Sequence, residues 1–326
     1  MSESSVRAAQ QSLGQRHPER SSRRERSRRR LSLSYIRARV ATLVCLIIAT
    51  VVLPGCAAPP APAAQPAEQA QSVTVLKVAH RGGAGLAPEN TLASFSNGLS
   101  LEPDAIELDI HLSRDGELVV IHDPTLDRTT DGRGAVADHT AAELAQLDAA
   151  AKYRGKAPAE RQPVPTLDQV LQLAKGRAGV QIEVKLAVDG SRYPGIEAKL
   201  VETLRNHDML GDVVVLSFDF PTLQEIKRIE PAVQACALIS TAYLRLPGRS
   251  DPEAVAEELA SLGVEYVGVK ASLLSDRLLA ALAGRGLQVG VWTVNDVRDM
   301  REFAARGVAF ITSDRPDLLN EALGAR

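Results

Sequence analysis

AIELDIHLSRDGELVVIH, residues 105–122, is the stretch on which the reading of the fold turns. It holds two β-rich runs, AIELDI (105–110) and ELVVIH (117–122), with Ser113-Arg114-Asp115-Gly116 between them. Parallel neighbours need a crossover of about a dozen residues or more, because the chain must travel back to the same end of the sheet. This connection is too short for that. Asp-Gly instead suits a tight turn, since glycine takes the positive φ that such turns demand. Residues 105–122 are therefore predicted to form a β-hairpin with His122 opposite Asp109, and residues 123–165 become an insertion before the next strand.

Setting the return arm of the hairpin aside leaves eight short β-rich runs: VLKVAH (75–80), AIELDI (105–110), GVQIEV (179–184), DVVVLSF (212–218), QACALIS (234–240), VEYVGV (264–269), LQVGVW (287–292) and VAFITS (308–313). Helix signals stand between most of them. Thr166-x-x-Gln169 opens VLQLAK, Pro221 starts TLQEIKRI, and Asn295 precedes VRDMREFAARG. Alternating strands and helices imply parallel strands joined by crossover helices. Residues 73–326 number 254, close to the roughly 250 typical of a (β/α)8 barrel. No GxGxxG follows any strand, which counts against a dinucleotide fold. The expected architecture is α/β: a TIM (β/α)8 barrel with a β-hairpin and small insertion after strand two.

Charge is unevenly spread. The whole chain carries −2, yet residues 1–39 hold eleven arginines against Glu3, Glu19 and Glu25, so the remainder carries −10. An acidic body argues against nucleic acid as a partner. Residues 40–54, VATLVCLIIATVVLP, form an apolar run of 15, short for a membrane span and suited to a signal h-region. The run ends in Leu53-Pro54-Gly55-Cys56, which resembles a bacterial lipobox, although Pro54 departs from the usual pattern. Ser27-Arg28-Arg29-Arg30-Leu31 loosely resembles a twin-arginine export signal. Residues 1–56 are thus read as a basic n-region and lipoprotein signal with Cys56 as the lipidation site, and 57–72 as a Pro/Ala-rich linker. The expectation is an exported protein that meets the membrane only through its N-terminal lipid anchor. Cys45 lies in the h-region and Cys236 stands alone in VQACALI, so no disulfide is expected once Cys56 is acylated, and Cys236 reads as a small buried hydrophobe.

In a barrel of this kind, side chains at the C-terminal strand ends build the site. Strand one ends in His80-Arg81. Strand two carries Glu107 and Asp109, two apart and so on one face; strand three carries Glu183 and Lys185 in the same relation. With His122 returned by the hairpin, these groups converge on one mouth. Neighbouring inward carboxylates repel and are costly to desolvate unless a cation sits among them. Three carboxylates without a cysteine suit a hard, oxygen-loving ion, Ca²⁺ or Mg²⁺, rather than zinc. Arg81 and Lys185 then remain as donors to an anion, a combination suited to a phosphate ester. Two imidazoles suit proton transfer to a leaving alkoxide and from an attacking hydroxyl near neutral pH.

HRGGAGLAPENTLASF (80–95), IELDIHLSRDGELVVIHDPTLDRTTDGRG (106–134), VPTLDQVL (164–171), IEVK (182–185), VGVWTVND (289–296) and ITSDRPD (311–317) together resemble the glycerophosphodiester phosphodiesterase family, in order, across residues 76–318. The resemblance implies a TIM barrel and divalent-metal-dependent hydrolysis of a small glycerophosphodiester to glycerol phosphate and an alcohol. By position it implies Glu107, Asp109 and Glu183 as metal ligands, His80 and His122 as the acid/base pair, and Arg81 and Lys185 as phosphate contacts. Glu89 and Asn90 match the Pro-Glu-Asn-Thr loop that borders the site. The resemblance suggests Trp292 as a surface for the glycerol moiety, with packing at the barrel mouth as the alternative, and Phe218 reads as an apolar wall or a core residue.

The remaining candidates read as support. Asp123 either orients His122 or begins the Asp123-Pro124 turn; Asp314 is expected to cap the last helix. His111 is expected to reach solvent past the end of strand two, and His139 and His207 to lie on the surface. The glycines after Arg81 are expected to let backbone approach a phosphate. A related barrel phospholipase, phospholipase D-like or phosphoinositide-specific, is the alternative enzyme, but the polar insertion and 3% aromatic content lack an interfacial loop. A lipid-anchored binding protein on a dead barrel would lack one of the histidines or acids, and all are present.

Overall fold

The computed structural model describes residues 74–324 apart from 157 and 159. The readings of residues 1–56 and 57–72, Cys56 included, lie outside the described residues. Among the described residues, nine strands run β1 Leu76–Ala79, β2 Ala105–Leu112, β3 Leu118–Val120, β4 Gly179–Val184, β5 Val213–Ser217, β6 Gln234–Ile239, β7 Tyr266–Lys270, β8 Gln288–Trp292 and β9 Phe310–Ser313. Ten α-helices among the same residues are interleaved: α1 Leu92–Leu99, α2 Ala141–Leu144, α3 Leu167–Ala174, α4 Ile196–Asn206, α5 Phe220–Ile229, α6 Thr241–Leu244, α7 Pro252–Ala260, α8 Asp276–Gly284, α9 Val297–Ala305 and α10 Pro316–Leu323. β1 pairs in parallel with both β2 and β9, so the eight parallel strands form a closed ring, and only β3 runs antiparallel, on the outer edge of β2.

Strand periodicity sorts the side chains. Ile106, Leu108 and Ile110 of β2, with Val180, Ile182 and Val184 of β4, belong to the large core shared with the helices. The alternate series turns inward, where Val78, Leu216, Cys236, Leu238 and Phe310 pack inside the barrel. Continuing each inward series toward the C-terminal strand ends reaches His80, Asp109, Glu183 and Trp292. The site is thus the polar end of a two-residue repeat whose lower layers are oil. Cys236 lies fully buried in that interior, as expected, and burial pushes its thiol up.

The hairpin forms, with a register one residue different from the expectation. Ile110 faces Val120, His111 faces Val119, and Leu112 faces Leu118, and Ile121 N donates to Asp109 O at 3.1 Å. Asp109 therefore faces Ile121, not His122. The cause is a three-residue loop, Arg114–Gly116, closed by Ser113 N donating to Glu117 O at 2.9 Å, with Gly116 at φ 82°. His122 lies past the end of β3. The insertion carries its own small core of Val119, Ile121, Leu126, Val136, Leu144 and Val164. α3 starts with the predicted capping box of Thr166 and Gln169, and Pro221 stands in the first turn of α5 behind an Asp219 cap.

Candidate active site

His80 and Arg81 leave β1 in a single tight turn whose second residue is left-handed, Arg81 at φ 51°. Asn90 is left-handed too, at φ 56°. Such a backbone is strained for a residue with a side chain and persists only where its surroundings hold it. Here they do: Arg81 N donates to Glu107 Oε2 at 2.9 Å, Asn90 N donates to Arg81 O at 3.1 Å, and Asn90 Nδ2 donates to Asp109 Oδ2 at 2.8 Å. At Gly82 the lack of a side chain is demanded by packing against α1. A Cβ on Gly82 would stand 2.4 Å from Ser94 Oγ and 2.7 Å from Phe95 N of α1.

Parallel pairing of β2 with β4 sets Asp109 beside Glu183. Oxygens of Glu107, Asp109 and Glu183 all lie within 4.8 Å of one another, and all three residues are buried. Burial, and then the charge of Asp109, pushes the Glu107 carboxyl above the usual carboxylate range; burial likewise raises Glu183. Asp109 goes the other way. Burial would raise it, but Lys185 and Arg81 hold it well below that range. Lys185 Nζ lies 2.9 Å from Asp109 Oδ1 and 2.6 Å from Glu183 Oε1, and Arg81 Nε lies 3.4 Å from Asp109 Oδ2. Three buried carboxylates thus stand against two fixed cations. An all-oxygen donor set this compact fits a hard divalent cation.

Each histidine is held by a carboxylate of its own. His80 Nδ1 is 2.6 Å from Asp314 Oδ1, and Asn295 Nδ2 donates to Asp314 Oδ2 at 2.7 Å. His122 Nδ1 is 2.7 Å from Asp123 Oδ1. A carboxylate at Nδ1 fixes the proton there in the neutral ring and leaves Nε2 as the unprotonated nitrogen on both. Their surroundings differ. Burial disfavours the charged form of His80, but Glu107 and Asp314 outweigh it and raise its affinity for a proton. At His122 burial prevails, with Lys185 and Arg81 adding to it against Asp109 and Asp123, and the ring is shifted down.

Three readings change at this point. Asp314 does not cap α10, whose N-cap is Arg315; it orients His80. Asn295 does not cap α9, which Asp296 does; its side chain instead braces Asp314. His111 does not reach solvent, because β2 runs on to Leu112 and buries it completely. Its Nε2 lies 3.1 Å from His122 O and its Nδ1 lies 2.9 Å from the Tyr193 hydroxyl. Burial takes its pKa down to about 4, so the neutral ring donates from Nε2 to the carbonyl and accepts from the tyrosine. Of the two readings of Asp123, the geometry satisfies the one that orients His122.

Phe218 and Trp292 meet edge to face with ring centroids 5.5 Å apart. They wall a cavity of about 100 Å³ that His80, Arg81, His122 and Lys185 also line. Trp292 Nε1 is buried without a hydrogen-bond partner among the described residues. A second hollow of about 350 Å³ shares His122, Glu183, Lys185 and Phe218 with the first and opens past Pro124 and Leu186. Glu89 does not face this cavity directly. Its carboxylate receives Arg81 Nη1 at 2.9 Å on one side and Arg128 on the other.

Residues 80–318 match the model of the glycerophosphoryl diester phosphodiesterase family. The chain belongs to this family. Among its relatives are a glycerophosphodiester phosphodiesterase of Bacillus subtilis, 32% identical over 76% of this chain and 86% of its own length, and one of Caldanaerobacter subterraneus, 34% identical over 75% and 96%. The glycerophosphodiester phosphodiesterase structure from Agrobacterium tumefaciens is 32% identical, with a TM-score of 0.63 over 76% of this chain and 99% of its own. An Oleispira antarctica phosphodiesterase solved with the product sn-glycerol-3-phosphate is 27% identical, with a TM-score of 0.65 over 76% and 96%. As a family member the chain is an enzyme of the phosphodiesterase class, and its closed barrel resembles the solved structures of that family.

Proposed function

We propose that the enzyme hydrolyses glycerophosphodiesters to sn-glycerol 3-phosphate and an alcohol, with His80 and His122 as the acid/base pair. The observation that carries this is the meeting, in one mouth, of two carboxylate-oriented histidines with three buried carboxylates and two fixed cations. Glu107, Asp109 and Glu183 would hold the divalent cation, Ca²⁺ or Mg²⁺, which when bound offsets charge on the phosphoryl oxygens. Arg81 and Lys185 supply positive charge for the phosphate from the chain itself. The glycerol moiety sits in the small cavity against Trp292 and Phe218, and the alcohol extends into the outer hollow beside His122. Nε2 of one histidine takes a proton from the attacking hydroxyl, that of water or of the neighbouring glycerol carbon. As the new P–O bond forms and the old one breaks, Nε2 of the other gives a proton to the departing alkoxide; on the second route water then opens the cyclic phosphate. The product bound to the Oleispira relative supports the glycerol phosphate half of this reading.

A lipid substrate is less well served. The exposed large hydrophobic residues among those described are Val188, Phe218 and Leu246, too few and too scattered for an interfacial rim. The deciding assay compares glycerophosphocholine with dispersed phosphatidylcholine and phosphatidylinositol, reading glycerol phosphate from the diester and phosphatidate or diacylglycerol from the lipids. Turnover of the water-soluble diester alone is expected; preferential attack on intact phospholipid would contradict the proposal. The N-terminal reading is part of the same proposal: export and acylation at Cys56. Cys56→Ser should move the protein from the membrane fraction to the soluble exported one, and an unchanged distribution would count against the anchor.

A further inference from the structure

Between the phosphate-facing and the acid/base halves of the site stands Arg128, from the stretch Asp127-Arg128-Thr129-Thr130. Its guanidinium is shared by two carboxylates. Nη1 donates to Glu89 Oε2 at 2.8 Å and Nη2 to Glu89 Oε1 at 2.6 Å, while Nε donates to Asp123 Oδ2 at 2.7 Å and Nη2 to Asp123 Oδ1 at 3.1 Å. Both carboxylates have a second engagement inside the mouth. Glu89 holds Arg81 Nη1 at 2.9 Å, and Asp123 holds His122 Nδ1 at 2.7 Å. The chain Arg81–Glu89–Arg128–Asp123–His122 is therefore continuous, and it joins the β1 end of the barrel to the far side of the hairpin. We infer that Arg128 is a positioning residue: it fixes His122 relative to Arg81 by clamping the carboxylates that hold each of them.

The planar guanidinium fork suits this task, because paired N–H groups set the angle as well as the distance of each carboxylate. The turn that presents it is itself fixed. Leu126 is fully buried, Thr130 Oγ1 donates to Leu126 O at 2.8 Å, and Gly132 N donates back to Thr130 Oγ1 at 2.9 Å. Charge alone does not account for the arrangement, since Glu89 is already paired with Arg81. What the second arginine adds is a rigid link from that pair to Asp123. Nothing in Arg128 touches the cavity where the phosphate is placed, so its influence passes through Glu89 and Asp123.

The inference rests on the acid/base role proposed for His122, and the experiment separates the two. Arg128→Met, Asp123→Asn, their double variant, Arg128→Lys and His122→Ala are assayed on glycerophosphocholine with saturating divalent cation, alongside thermal melts. Displacing a reacting group by about 1 Å can cost on the order of a hundredfold, so Arg128→Met is expected to lose roughly 10- to 100-fold in kcat with KM within about threefold of normal. The double variant should be no slower than the slower single, because both act on one link, and Arg128→Lys should recover only part of the rate. Wild-type kcat in Arg128→Met, full rescue by lysine, or multiplying losses in the double variant would each overturn the clamp. An active His122→Ala would overturn the acid/base reading instead.

Discussion

At the scale of single residues, chemistry at this mouth is decided by what stands behind each working group. His80 was recognisable from its place at a strand end, as were Arg81 beside it and Lys185 just past β4, while strand periodicity aims Glu107, Asp109 and Glu183 at one point. His122 followed from the hairpin, though not from the register expected for it. Asp314 was not recognisable. It lies 234 residues from His80 in sequence, and Asp-Arg-Pro before a helix looks locally like a cap. Only closure of the ring, which places the end of β9 beside that of β1, brings the two together. Asp314 raises the proton affinity of His80, so Asp314→Asn should lower it. Whether His80 acts as acid or as base, the limb of the pH–rate profile that it governs should then move to lower pH. A profile of kcat/KM against pH checks this, and a limb that stays put or moves upward would contradict the orientation by Asp314.

Elements were legible where a local pattern fixes them. The capping box at Thr166 and the Asp219-Pro221 start of α5 follow from side chains within one turn. The hairpin was legible too, but not its register, because Asp115-Gly116 allows a two-residue or a three-residue loop and the two differ by one position. Arg114–Gly116 forms the longer loop, with Ser113 Oγ accepting from Glu117 N at 2.9 Å across it. The consequence for function is small, since His122 leaves the ladder before reaching the mouth. Inside the barrel a glycine is demanded by a neighbour. A Cβ on Gly290 of β8 would stand 2.1 Å from the Phe310 ring, which fills the interior below the site. Gly290→Ala should therefore destabilise the fold by about 1–3 kcal/mol through overpacking, read from urea unfolding. A wild-type midpoint would mean that the ring moves aside freely.

For the whole molecule, length and alternation foretold the closed barrel, and the pairing of β1 with both β2 and β9 completes it. The sequence places the acids together, but their unequal environments come from the packed barrel, where Lys185 and Arg81 lower Asp109 while burial raises Glu107 and Glu183. Glu107, Asp109 and Glu183 crowd together at the one place where strands β2 and β4 both present acids, and the cost of that crowding is borne by the entire fold. A cation that binds the folded state alone stabilises it by about 2.7 kcal/mol at a hundredfold excess over Kd, worth about 5–10 °C in a domain of this size. Ca²⁺ or Mg²⁺ should raise the melting temperature of chelator-treated protein by that order, and Asp109→Asn should abolish the rise. An equal rise in the variant would place the ion elsewhere.

The most direct measurement is turnover of glycerophosphocholine by the purified enzyme, stripped with EDTA and then titrated with Ca²⁺ and, separately, Mg²⁺. The proposed mouth predicts that release of glycerol phosphate falls at least a hundredfold on stripping, a loss of several kcal/mol of charge stabilisation on the order expected for a metal-assisted site, and that one of the two ions restores it. Undiminished turnover in excess chelator would contradict the account at its centre.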